Sequence, residues 1–125
     1  MKPKILTVDD SQTIRSIIKK MLSEYECDII EACDGLQGLD MAKKEAPHLI
    51  ILDIDMPGMN GLELLMNLRN DDRFMRTPVF MLTSKSKAEN IRIAMELGIS
   101  AFIAKPFKRE LFVAKVQKVL ALPPA

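Results

Sequence analysis

No apolar run in this chain approaches the roughly 20 residues that a membrane-spanning helix needs. The opening Met1-Lys2-Pro3-Lys4 is followed by only a short apolar stretch, which does not read as a signal peptide. Charge of one sign is missing too. The 18 Lys and Arg nearly balance the 17 Asp and Glu, for a formal charge of +1, so no general attraction to nucleic acid or to an anionic membrane is expected. Cysteine is scarce. Cys27 and Cys33 stand apart without CxxC spacing, a poor pattern for a metal or redox centre. No internal repeat, low-complexity segment or basic recognition helix is present. No Gly-rich phosphate loop follows the first apolar run. These absences leave a cytoplasmic protein with reduced thiols as the expectation.

What is present is enough apolar residue, 48% of 125 positions, for one domain with a core. Short apolar runs alternate with helical patterns. Ile5 to Val8, Asp28 to Ala32, Leu49 to Leu52, Val79 to Leu82 and Ala101 to Ala104 read as strands. Between them, helical spacing joins Ile14, Ile17, Ile18, Met21 and Leu22, with Ser11 as cap. A weaker helix runs through Leu36, Leu39 and Ala42, a third through Leu62, Leu65 and Met66, and a fourth through Ile91, Ala94 and Met95 with Gly98 as its stop. The last carries Leu111, Phe112, Val116, Val119 and Leu120. Residues 70–77 read as a polar loop, with Arg69, Arg73 and Arg76 solvated around it, and His48 as a surface residue. Leu49-Ile50-Ile51-Leu52 is apolar at both parities, as a central parallel strand is. Such alternation predicts an α/β fold, a doubly wound five-stranded parallel sheet with five helices. The domain is expected over residues 1–122, with 123–125 as a tail or the start of a linker.

Ligands of such a sheet bind at the carboxyl ends of its strands. This chain places Asp9 and Asp10 after the first strand, Asp53 after the third, Thr83 after the fourth and Lys105 after the fifth. Any one Asp there reads as a turn or capping residue; the joint pattern does not. Three carboxylates at one edge repel one another, and a hard divalent cation such as Mg2+ would compensate them. With a lysine, a hydroxyl and a carboxylate nucleophile, this is equipment for phosphoryl transfer.

The motifs Val8-Asp9-Asp10-Ser11 with Arg15, Leu52-Asp53 with Met56-Pro57-Gly58 and Gly61, Leu82-Thr83-Ser84, and Lys105-Pro106-Phe107 occur in this order across nearly the whole chain. In them the sequence resembles the receiver domain of two-component response regulators, of the single-domain type. The resemblance implies a flavodoxin-like strand order 2-1-3-4-5. It implies Asp53 as phospho-acceptor, and Asp9 and Asp10 as the acidic pair holding Mg2+ together with Asp53, Asp10 being favoured as the direct ligand. It further implies the backbone carbonyl of Asp55 as a metal ligand, Thr83 and Lys105 as contacts of the phosphoryl group, Thr83 and Phe102 as switch residues, and a cis Lys105-Pro106 bond.

The implied partners are a histidine kinase or phosphotransfer protein, or a small acyl phosphate as donor. A downstream protein would read the surface of the fourth helix, fifth strand and fifth helix. No direct nucleic-acid or membrane partner is implied, and the protein is expected as a monomer or an activation-dependent dimer. It would be a switch that catalyses only its own phosphorylation and dephosphorylation. Asp55 reads either as a solvated loop carboxylate or as a fourth acid facing Lys85, a pair that would bear on the lifetime of the phosphorylated state. The Asp-Asp-Ser-x-x-x-Arg start favours a stand-alone protein of chemotaxis or motility. A receiver cut from a larger regulator with its own output domain is the alternative. A Mg2+-dependent phosphohydrolase of the haloacid-dehalogenase type would carry DxDx[TV] after the first strand, where Asp9-Asp10-Ser11-Gln12 stands instead.

Overall fold

The computed structural model describes residues 2–84 and 87–125. In chain order the elements are β1 (Lys4–Val8), α1 (Gln12–Met21), β2 (Asp28–Ala32), α2 (Gly35–Glu45), β3 (Leu49–Asp53), α3 (Gly61–Arg69), a 3-10 turn (Asp72–Phe74), β4 (Val79–Thr83), α4 (Ala88–Glu96), β5 (Ala101–Ala104) and α5 (Arg109–Leu120). The strands form one five-stranded sheet in the order β2-β1-β3-β4-β5, and each adjacent pair is parallel. Both the doubly wound α/β architecture and the order 2-1-3-4-5 are therefore as expected.

Alternate residues of each strand face opposite sides of the sheet. Ile5, Leu49, Ile51, Phe80, Leu82 and Ile103 pack under α1 and α5 with Ile18, Phe112 and Val116. Leu6, Val8, Ile50, Leu52, Val79 and Met81 pack on the other side with Leu64, Leu65 and Leu68 of α3 and Ala94 of α4. Every residue of β3 is buried, which explains a strand apolar at both parities.

The helices start where short polar side chains take up backbone N–H groups left without intrahelical partners. Ser11 accepts from the Ile14 amide and Asp34 from the Gln37 amide. Asn60 and Glu63 form a reciprocal capping box at α3. Gly98, at φ +75°, follows α4 as its stop. Residues 123–125 hydrogen-bond back to residues 24–26 through Glu26 N to Pro123 O and Ala125 N to Glu24 O, both 2.8 Å.

Several side chains depart from the sequence reading. The buried seam of α3 runs through Gly61, Leu64, Leu65 and Leu68, leaving Met66 exposed. Gly61 faces the end of β3, where a Cβ would meet the Asp53 carbonyl. Leu36, Met95 and Leu111 are likewise exposed. The polar stretch 70–77 contains a 3-10 turn whose Phe74 enters the core. Arg69 is not solvated: its guanidinium donates to the carbonyls of Leu97, Phe74 and Gly98, and burial pushes its pKa down. Arg73 does stay solvated, in an exposed pair with Asp71. His48 is half-buried and its Nδ1 accepts the Lys4 amide at 3.0 Å.

Candidate functional site

The parity of the strands decides which side chains meet. Asp9 continues the Ile5-Thr7 side of β1, Asp53 the Leu49-Ile51 side of β3, and Lys105 the Ile103 side of β5. All three thus arrive on the α1/α5 side of the carboxyl edge. Asp9 and Asp53 are 1% and 2% exposed, whereas Asp10 is exposed. One carboxylate oxygen from each of Asp9, Asp10 and Asp53 lies within 4.8 Å of the others.

The Lys105 ammonium is shared between Asp9 Oδ2 at 3.0 Å and Asp53 Oδ1 at 3.2 Å. Asp9 Oδ1 accepts the Ser11 amide at 2.9 Å, and Asp53 Oδ1 accepts the Asp55 amide at 3.3 Å. The charges are unbalanced even so. Burial, with the neighbouring Asp9 carboxylate, raises the Asp53 pKa to about 6 against the pull of Lys105 and the Asp55 amide. Burial alone would lower the Lys105 pKa, but the Asp9 and Asp53 carboxylates outweigh it and raise it. Lys105 therefore stays an ammonium.

Three carboxylates against one ammonium leave excess negative charge on hard oxygen donors. That donor set fits a hard divalent cation and not a soft one.

Thr83 ends β4 fully buried. Its Oγ1 donates to Asp55 Oδ2 at 3.4 Å, and its carbonyl accepts the Lys105 amide at 2.7 Å. Phe102 is half-buried, packs against the α3/α4-side core and pairs in register with Met81. Thr83 and Phe102 therefore lie on the same face of neighbouring strands. The Lys105-Pro106 peptide is cis, as the resemblance implies. Asp55 is exposed, yet its carboxylate is held by Thr83. Lys85, its expected counterpart, lies outside the described residues.

The sequence reading missed how the β1–α1 corner is held. Arg15 donates from Nη1 to the Asp9 carbonyl at 2.5 Å and from Nε to Glu31 Oε1 at 3.2 Å. Arg15 stood out in the motif, but nothing in the sequence pointed to Glu31 on the neighbouring strand.

Residues 5–117 match the family model described as the response regulator receiver domain. The chain belongs to that family. Its curated relatives include the chemotaxis protein CheY-3 of Vibrio cholerae serotype O1, 39% identical over 117 residues, covering 93% of this chain and 90% of that one. They also include the hybrid signal transduction histidine kinase D of Dictyostelium discoideum, 35% identical over 97% of this chain but only 8% of the kinase. Among solved structures, chemotaxis protein CheY4 of Vibrio cholerae superposes with a TM-score of 0.89 at 32% identity, over 96% of this chain and all of the other. The protein is thus a receiver domain of the CheY-like response-regulator type. Among the described residues, no helix is long and apolar enough to cross a membrane.

Proposed function

We propose that this receiver is a cytoplasmic phosphorylation switch of two-component signalling, in which Asp53 accepts a phosphoryl group from a histidine kinase, a phosphotransfer protein or a small acyl phosphate. The observation that carries the reading is the convergence of three carboxylates on one point, with a lysine bridging two of them.

Asp9, Asp10 and Asp53, with the Asp55 carbonyl, would hold Mg2+, which supplies charge neutralisation to the transferred oxygens. A carboxylate oxygen of Asp53 attacks phosphorus in line. The new O–P bond forms as the donor's bond to phosphorus breaks, and the donor leaves with the electron pair. Lys105 turns its ammonium from Asp53 to a phosphoryl oxygen. The Thr83 hydroxyl exchanges Asp55 for another phosphoryl oxygen. Phe102, on the same face of the next strand, follows the space that Thr83 vacates.

The surface of α4, β5 and α5 then changes for a protein partner, as a shift between two populated states. Attack by water on the acyl phosphate resets the switch. The curated CheY relatives support a chemotaxis or motility setting. A receiver module of a longer regulator is the second reading, supported by the same module's small share of the hybrid kinase.

Incubation with acetyl phosphate and Mg2+, read by intact mass, tests the assignment. Wild type should gain one phosphoryl group and Asp53→Asn none. A wild type that stays unmodified, or an Asn variant that is labelled equally, would overturn it.

A further inference from the structure

Asp10 is the exposed member of the acidic cluster, and among the described residues no hydrogen bond or ion pair holds its side chain. Its aim must come from its backbone. The Asp9 carbonyl and the Asp10 N–Cα bond belong to one planar peptide unit. Whatever fixes the Asp9 oxygen therefore fixes where the Asp10 Cα stands and restricts the directions open to its side chain.

That oxygen is held by Arg15 Nη1 at 2.5 Å. The other side of Asp9 is held by the ladder, its amide donating to Ala32 O at 3.1 Å. The guanidinium is in turn fixed by Glu31 Oε1 at 3.2 Å, with side-chain exposures of 14% for Arg15 and 34% for Glu31. Glu31 pairs in register with Thr7, which puts it on the α1 side of the sheet, across from Arg15.

The pairing has a second consequence. A guanidinium seated on the Asp9 carbonyl is one residue along the chain from the Asp10 carboxylate, a competing partner for its charge. Its charge is taken up by Glu31 instead, which leaves Asp10 open.

We infer that Arg15 is a positioning residue for the metal site, aiming Asp10 through the Asp9–Asp10 peptide plane, and that Glu31 keeps the Arg15 guanidinium off the Asp10 carboxylate. The inference rests on the metal-binding reading of the acidic cluster. It adds a role for Arg15 and Glu31 that does not involve contact with the phosphoryl group.

Mg2+ titration followed by the Asp10 amide resonance in NMR tests it without any phosphoryl transfer. Arg15→Met keeps the apolar stem and removes the donor, and it should weaken Mg2+ binding about tenfold. Arg15→Lys, which keeps one donor, should recover part of that loss. Glu31→Gln should weaken binding about threefold, as expected for a partly exposed ion pair, and it carries the test if Arg15→Met does not fold.

In an Asp10→Asn background, with Mn2+ as the probe, Arg15→Met should cost nothing further. Equal affinity in wild type, Arg15→Met and Glu31→Gln overturns the inference, as does an undiminished Arg15→Met effect in the Asn background. A wild type that binds no Mg2+ overturns both the inference and the reading beneath it.

Discussion

Two helices of equal length pack on the sheet face opposite the acid cluster and are held in different ways. Both α3 and α4 have nine residues, yet α3 buries four of them and α4 only one. The first begins with the Asn60–Glu63 capping box. The second begins at Lys87 with no side-chain cap. At its far end α4 is tied down, because Arg69 from α3 donates to the Leu97 and Gly98 carbonyls.

Among the described residues, the N-terminal end of α4 is thus the end with less local fixing. Segments with few buried contacts are the ones that open and rearrange at low cost. The contrast separates a fixed side, where Gly61 abuts the Asp53 carbonyl, from a side whose helix start is uncapped. Lys105 joins them, since it follows β5 but pairs with Asp9 and Asp53.

The largest expected effect lies on the fixed side. A Cβ on Gly61 would come within 2.4 Å of the Asp53 carbonyl oxygen and 2.8 Å of the Ile54 Cα, both backbone atoms. Gly61→Ala must therefore displace the end of β3 or the start of α3. It should cost about 3 kcal/mol in urea denaturation and reduce Asp53 phosphorylation with it. Gly98 makes the comparison. A Cβ there meets nothing within 4 Å, and only its φ of +75° resists substitution. Gly98→Ala should cost about 1 kcal/mol and leave phosphorylation intact. Equal losses in the two variants would erase the contrast.

The fold was legible in the sequence because its signals are local. Apolar runs of strand length, breakers between them and short polar caps each act over a few residues. The strand-end polar residues were legible for the same reason: Asp9, Asp53, Thr83 and Lys105 each terminate a run, and parallel strands bring such ends together. What could not be read depends on tertiary neighbours. Arg69 sits among charged residues and looks solvated until the α4 carbonyls arrive beside it. Phe74 lies in a polar stretch, and only the packed domain gives it a core to enter. Arg15 is one residue of a motif, and its use depends on Glu31 of β2.

A smaller effect tests whether the fixed side carries unrelieved charge. The Asp53 pKa in the fold is about 6, above the value near 3.9 of an unfolded aspartate. Between those values the folded protein binds more protons than the unfolded one, so stability falls as pH rises through the window. Above it, ionised Asp53 penalises the metal-free fold by on the order of 2 kcal/mol. Asp53→Asn should therefore match wild type near the bottom of the window and exceed it at neutral pH. Mg2+ should narrow that gap. A constant difference across the pH range would mean that Lys105 already compensates the cluster.

The smallest effect addresses the helix starts themselves. Removing the cap of α3 with Asn60→Ala should lower the free energy of unfolding by about 1 kcal/mol. Supplying one to α4 with Lys87→Ser should raise it by about 0.5 kcal/mol, since the change adds an acceptor and takes a cation off a helix N-terminus. Stability alone would show only that caps work. The informative measurement is the response to beryllofluoride with Mg2+, followed in the amide spectrum of α4. If the uncapped start lets α4 rearrange, Lys87→Ser should need more beryllofluoride for the same change, and Asn60→Ala should not. An unaltered response in a stabilised Lys87→Ser protein would separate the two properties, and the missing cap would then be a feature of α4 without consequence for switching.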